Sequence, residues 1–217
     1  MESFCPLQID LNDRECLVIG GGIVAGRKVK TMLSYRAKVT VLSPHLSMEL
    51  SGLLKEDKIF YQADIYRPVY LKNSFLVICA TDSVAVNRRA AKDCIERGIL
   101  VNTVSDPGMC TFFLPALYRK GPLTLTVSTA GKSPALASRL RDELAGNLEQ
   151  SYADFADFLG HARALILEKV QDQARRRELL EHLAGEDFFN EYKSLPDKQA
   201  WQRLEELLQS EKNQERN

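Results

Sequence analysis

The 217-residue chain is short of several features that would announce a function on their own. It has no net charge, with Lys plus Arg and Asp plus Glu both at 29. Overall charge therefore gives no argument for nucleic acid or a membrane surface as a partner. No apolar run approaches the ~18 residues needed to span a bilayer. The segment Met1-Glu2-Ser3-Phe4-Cys5-Pro6 lacks a basic region followed by a long apolar stretch. No secretory signal is visible, and a cytoplasmic location is expected. Histidines number only three, His45, His161 and His182, and none has a second ligand at i+3 or i+4. That argues against a dedicated metal site. The five cysteines (Cys5, Cys16, Cys79, Cys94, Cys110) are scattered, odd in number and form no C-x-x-C. A disulfide framework is not expected, and free thiols are the default. No internal repeat is visible.

What the chain does have is a glycine turn near its start. Val18-Ile19-Gly20-Gly21-Gly22-Ile23-Val24-Ala25-Gly26-Arg27-Lys28 follows a short apolar run and opens an amphipathic stretch. That reads as a strand, a tight turn and a helix start. Gly20 allows a turn that a side chain would obstruct. Gly22 lets the backbone approach a pyrophosphate, whose charge the helix N-terminus favours. Gly26 would let the helix pack close to the strand. The spacing is G-x-G-x-x-x-G, one residue longer than the commonest fingerprint, and a dinucleotide site is the leading reading. The plain alternative is a glycine turn with no ligand.

Residues 5–11 read as a short strand or extended lead-in. Strands are expected at 16–19, 38–42, 59–61, 75–80 and 99–102, and helices at 23–34, 46–54 and 87–97. The run Phe75 to Ala80 is apolar throughout, as expected for a strand covered on both faces. Strands alternating with helices imply an α/β domain with a mostly parallel sheet up to about residue 113. Leu123 to Ser128 then alternates apolar and polar, the mark of a strand with one face covered. Ser133-Pro134 starts a helix, with serine as N-cap and proline in the first turn. From about 149 onward glycines are few and alternation stops. Helices are expected near 149–170, 172–184 and 197–210, with breaks at Gly185 and Pro196. Ser210 to Asn217 is polar and expected to fray.

Four stretches together resemble the precorrin-2 dehydrogenase family, which includes the N-terminal module of bacterial siroheme synthase and the yeast dehydrogenase/chelatase. They are Gly20 to Lys28, Ala80-Thr81-Asp82-Ser83-Val84-Ala85-Val86-Asn87, Val101 to Pro107 running on to Phe112-Phe113-Leu114-Pro115-Ala116, and Val127-Ser128-Thr129-Ala130-Gly131-Lys132-Ser133-Pro134-Ala135-Leu136-Ala137. The resemblance implies an NAD-binding Rossmann-like domain (1–113), a central dimerisation segment (114–148) and a small helical domain (149–217). It implies a homodimer with its active site between domains. It also implies NAD-dependent oxidation of precorrin-2 to sirohydrochlorin, on the way to siroheme. Some members also insert Fe²⁺ or Co²⁺, and others leave that to a separate chelatase. A dinucleotide-sensing module without catalysis is the alternative from a different class.

Removing two hydrogens from a reduced tetrapyrrole needs a hydride acceptor, which NAD supplies, and a proton acceptor. In the resembled family an aspartate sits two residues before the proline of the third stretch. Here that position is Ser105, and Asp106 follows it. Asp106 is the favoured base and Ser105 the second candidate, the alternative being that Asp106 only caps the turn before Pro107-Gly108. The candidate dinucleotide contacts are Gly20, Gly22, Ile23, Val24, Ser43, Pro44, Thr81, Asp82 and Asn102. No acid ends the second strand to hold a ribose, but Ser43 can hydrogen-bond one. The alternative for Asp82 is a helix cap. A polycarboxylate substrate needs local positive charge, and Arg119, Lys120, Lys132, Arg139 and Arg141 fall together in the sequence. Lys132 and Arg139, with Phe113 and Ser128, are the candidate substrate contacts.

Overall fold

Glu15–Ile19 (β1) is the centre of the fold because four of its five residues are apolar and buried. Cys16 and Val18 enter one apolar layer, Leu17 and Ile19 the other. A strand covered on both faces needs a neighbour at each edge to satisfy its backbone. Lys38–Leu42 (β2) pairs on one side and Leu76–Cys79 (β4) on the other, both parallel. Phe60–Gln62 (β3) and Leu100–Thr103 (β5) complete a five-stranded parallel sheet of order β3-β2-β1-β4-β5. Ile23–Leu33 (α1), Met48–Lys55 (α2) and Val84–Glu96 (α3) are the crossovers. Ala25, Val29 and Met32 of α1 cover Val18, Val39 and Ile78. Ala90, Ala91 and Cys94 of α3 cover the opposite face at Leu17, Val77 and Val101.

This computed structural model describes residues 4–195 and 197–212. They divide into two compact units. The first runs to Leu114 and includes Ala130–Lys132. The second holds Pro115–Thr129 and everything from Ser133. In it Ala116–Lys120 (β6) and Leu123–Val127 (β7) form an antiparallel hairpin, closed by Gly121 at φ +54°. Pro134–Gly146 (α4) follows, its N-terminus capped by Ser133, whose Oγ accepts the Leu136 N–H. Gln150–Lys169 (α5), Gln173–Leu183 (α6), Glu186–Ser194 (α7) and Asp197–Lys212 (α8) pack around Phe155, Phe158, Ile166, Leu183, Phe188 and Leu204.

The α/β reading and the helical C-terminal region hold, and most boundaries fall within two residues. Four details differ. Residues 5–11 form no strand. The third helix starts at Val84, not Asn87, because Ser83 caps it three residues earlier. β6 and α7 were not foreseen. Gly26 faces α2 rather than a strand: a Cβ there would lie 2.6 Å from Glu49 Oε2. Gly185 is the N-cap of α7. Pro196 lies outside the described residues, as do 213–217, while α8 continues through Ser210 to Lys212.

Candidate dinucleotide site

From β1 the sheet grows in opposite directions, to β2 on one side and to β4 on the other. Such a reversal opens a crevice beyond the carboxyl ends of the strands. Residues 20–22, 43–47, 80–83 and 104–106 are the connections at that end.

Each glycine of the first connection meets a different constraint. Gly20 has φ +124°, and a Cβ there would stand 2.3 Å from the Ala80 carbonyl oxygen. At Gly21 a Cβ would fall 1.9 Å from His45 O and 2.7 Å from Ser43 Oγ. Its carbonyl also accepts the Ser47 N–H at 2.8 Å, which ties the turn to the start of α2. At Gly22 a Cβ would meet nothing within 4 Å. Gly22 is the N-cap of α1 and offers no side chain to the first-turn N–H groups. Those donors have no acceptor within the helix, and they face open space with the dipole's positive end. An anion fits there. Ile23 and Val24 are 68% and 47% exposed beside it, and Val84, which opens α3, and Val104, which follows β5, are exposed too. Apolar side chains left in water around an anion cradle suit the flat faces of a dinucleotide.

Ser43 is buried at the end of β2, its N–H bonded to Gln62 O. Pro44 is exposed, and its carbonyl accepts the Tyr61 hydroxyl at 3.2 Å. At the end of β4, Thr81 is held by Asn87, which is fully buried on α3. Asn87 Oδ1 accepts the Thr81 N–H (3.1 Å) and hydroxyl (2.7 Å), and its Nδ2 donates to Thr81 O (2.9 Å). Asp82 is exposed and is not the cap of α3; Ser83 is.

At the end of β5, Asn102 is buried, and its amide donates to Phe112 O at 3.1 Å, fixing the returning loop. Ser105 is exposed, its Oγ accepting from Asn87 Nδ2 at 3.2 Å. Asp106 does cap the turn: its Oδ1 accepts the Gly108 N–H at 3.2 Å. Its Oδ2 accepts Arg88 Nε at 2.9 Å, an ion pair that no spacing rule announces. Burial holds the half-buried Lys28 ammonium below the usual lysine range, with nearby Cys110 acting the other way.

Gly21, Asn87, Arg88 and Thr103 were not singled out from sequence. Gly21 carried a visible signal, since it lies inside the glycine run, but its constraint comes from His45, 24 residues on.

Phe113 is half-buried in the first unit, its ring tilted at 59° against that of Phe4 (ring centroids 4.7 Å apart), and a Cβ at Gly131 would touch its ring at 3.3 Å. Lys132 is exposed in the same unit. In the second unit Ser128 and Arg139 are exposed. Lys120 donates there to Leu148 O, and Arg141 to Leu117 O and Asp142. Those two cations therefore brace their own unit.

Residues 7–116 match the family described as putative NAD(P)-binding, and residues 120–147 the family described as sirohaem biosynthesis protein, central. The siroheme synthase of Nitrosospira multiformis is 35% identical over 213 residues, 96% of this chain and 45% of that protein. That of Methylobacillus flagellatus is 37% identical over 172 residues, 79% of this chain and 37% of that protein. The chain thus spans less than half the length of these relatives. The solved structure of SirC, precorrin-2 dehydrogenase, superposes with TM-score 0.78 at 28% identity, covering 95% of this chain and 100% of that one. The open cradle at Gly22 fits the cofactor that the first family's description carries, the likenesses extend over both units, and the chain belongs to the family described as putative NAD(P)-binding.

Proposed function

We propose that this chain oxidises precorrin-2 to sirohydrochlorin with NAD⁺. The observation that carries the reading is the uncapped α1 N-terminus beside Gly22, open at the sheet's reversal point, in a chain alike over 95% of its length to a precorrin-2 dehydrogenase.

NAD⁺ supplies the hydride acceptor. The chain's own residues do the rest. Gly22 and the amides of Ile23 and Val24 receive the pyrophosphate. Ser43 offers its hydroxyl to a ribose, with Pro44 beside it, and Thr81 and Asp82 edge the cofactor on the β4 side. Asn102 acts by holding the loop that follows β5. The proton released as the hydride leaves goes to Asp106. Each carboxylate oxygen there holds one partner and keeps a second lone pair for a proton. Lys132 and Arg139 meet carboxylates of the substrate, and Phe113 and Ser128 complete its contacts. Residues 114–148 form the dimerisation segment and 149–217 the helical domain.

An anaerobic absorbance assay with precorrin-2 tests the reading. NADH should appear in step with sirohydrochlorin. A chain that binds NADH but forms none in this assay would be a sensing module instead. The same assay with Fe²⁺ separates a dehydrogenase from one that also inserts metal, which some members of the resembled family do.

A further inference from the structure

Asn87 is fully buried on a helix face otherwise made of Ala90, Ala91 and Cys94. A primary amide in such a place costs free energy unless all its hydrogen-bonding capacity is met. It is met in full: two bonds accepted at Oδ1, two donated from Nδ2. Three of the four hold Thr81. The fourth crosses to Ser105 Oγ on the next connection.

Ser105 Oγ also lies 3.2 Å from Thr103 Oγ1. Geometry alone leaves either hydroxyl as donor, but burial decides it. Thr103 is buried, and among the described residues its hydroxyl has no other partner. Its proton must therefore go to Ser105, since a buried hydroxyl left without an acceptor is costly. Ser105 Oγ then accepts twice, from Asn87 and from Thr103, and both its lone pairs are filled. Its own proton is free, and Ser105 is the exposed member of the trio.

We infer that Asn87 and Thr103 are positioning residues that fix the Ser105 hydroxyl as a hydrogen-bond donor toward a carbonyl or carboxylate oxygen of the bound ligand. The position at which the resembled family carries an acceptor thus presents a donor here. Ser105 orients a ligand and does not take its proton, which leaves that role to Asp106. The inference rests on the proposed function only for the identity of the ligand. The chemistry is shared by the carboxamide of the nicotinamide and the carboxylates of the tetrapyrrole.

The test is a double-mutant cycle on the full chain with Ser105→Ala and Thr103→Val, read by fluorescence titration with NADH and, separately, with sirohydrochlorin. Ser105→Ala should weaken one of the two about tenfold, the worth of one hydrogen bond. Loss toward NADH assigns the acceptor to the cofactor, and loss toward sirohydrochlorin assigns it to the tetrapyrrole. Thr103→Val should weaken the same ligand, the double variant should be no worse than Ser105→Ala, and Thr103→Ser should restore binding. A merely structural Thr103 would give additive losses and no rescue. Asn87→Asp, which keeps the acceptor oxygen but removes the donors to both Ser105 and Thr81 O, should weaken the same ligand as Ser105→Ala. Unchanged affinity for both ligands in Ser105→Ala, or additive losses in the cycle, overturns the inference. Wild type that makes no NADH from precorrin-2 but still shows the coupling fails the proposed activity and leaves the positioning intact.

Discussion

At Gly22 the fold asks for nothing, and that makes the residue informative. Its backbone is extended (φ −85°, ψ −172°), a conformation open to any residue, and a Cβ there has no neighbour. Gly22→Val should fold with a melting temperature near wild type, yet lose NADH affinity at least tenfold in a fluorescence titration, because the side chain fills the anion's place. Equal affinity in the two proteins would remove the cradle from the site. Gly21→Ala should do the reverse. Its methyl would overlap a carbonyl, so the backbone must move, at a cost of about 2–4 kcal/mol seen as a lower denaturation midpoint. The sequence shows three adjacent glycines without saying which serves ligand and which serves fold, because the atoms that decide it, His45 O and Ala80 O, come from other connections. Asp106 was legible as a turn cap from the proline and glycine that follow, and its pairing with Arg88 was not. In turnover, Asp106→Asn should cost roughly 10²–10⁴-fold, the range for removing a general base, with NADH affinity unchanged. Should Asp106→Asn turn over normally while Ser105→Ala does not, the proton goes elsewhere and Asp106 is a cap alone.

At the scale of elements, the central strands were the readable part. β1, β2 and β4 are short, apolar and β-branched, so composition and burial agree. β6 was hidden because Ala116–Lys120 is only half-covered and ends in two cations, and α7 because Gly185 was read as a break without the helix it caps. The start of α3 was misplaced because Asp82 and Ser83 both make good caps, and only the structure shows Ser83 Oγ accepting the Val86 N–H. The central elements also carry a pH dependence. Cys16 on β1, Cys79 on β4, Cys94 on α3 and Cys110 after β5 are all buried free thiols. Burial pushes Cys16 up to about 11 and Cys94 up to about 12, and it raises Cys79 and Cys110 too. Folded values above the unfolded 9.0 mean the unfolded chain releases these protons first. Stability is therefore full below pH 9 and falls as pH climbs through 11, by up to about 1.4 kcal/mol per pH unit for each thiol. Lys28, lowered by burial, works in the opposite direction but is one group against four. Urea midpoints at pH 9, 10 and 11 should drop steadily, and Cys16→Ala should make the slope shallower by about one proton. A flat midpoint across that range would mean the thiols ionise in place.

For the whole molecule, the two units rest on different kinds of stability. The first has a five-stranded sheet covered on both faces, with every inner strand paired at both edges. The second has an aromatic and aliphatic helical core, but its sheet has only two strands. An isolated hairpin is marginal in water, and among the described residues no further strand pairs with the outer edge of β7. On β7 the residues alternate between half-buried and exposed, so one face is covered only in part. A second copy of the hairpin could extend that sheet and cover both defects at once, which is the physical case for the dimer that the resemblance implies. Light scattering at micromolar concentration should give about twice the 24.5 kDa chain mass. Replacing Thr124 or Thr126, the exposed positions of β7, with proline removes a strand N–H and should shift the mass toward one chain while NADH binding persists. The two-residue connection closes on the Lys120–Leu123 pair, so pairing with β6 recurs at Leu125 and Val127, and the N–H groups of Thr124 and Thr126 both face the outer edge. A protein that scatters as a monomer before any substitution would leave the hairpin edge to solvent, and the dimer would have no support.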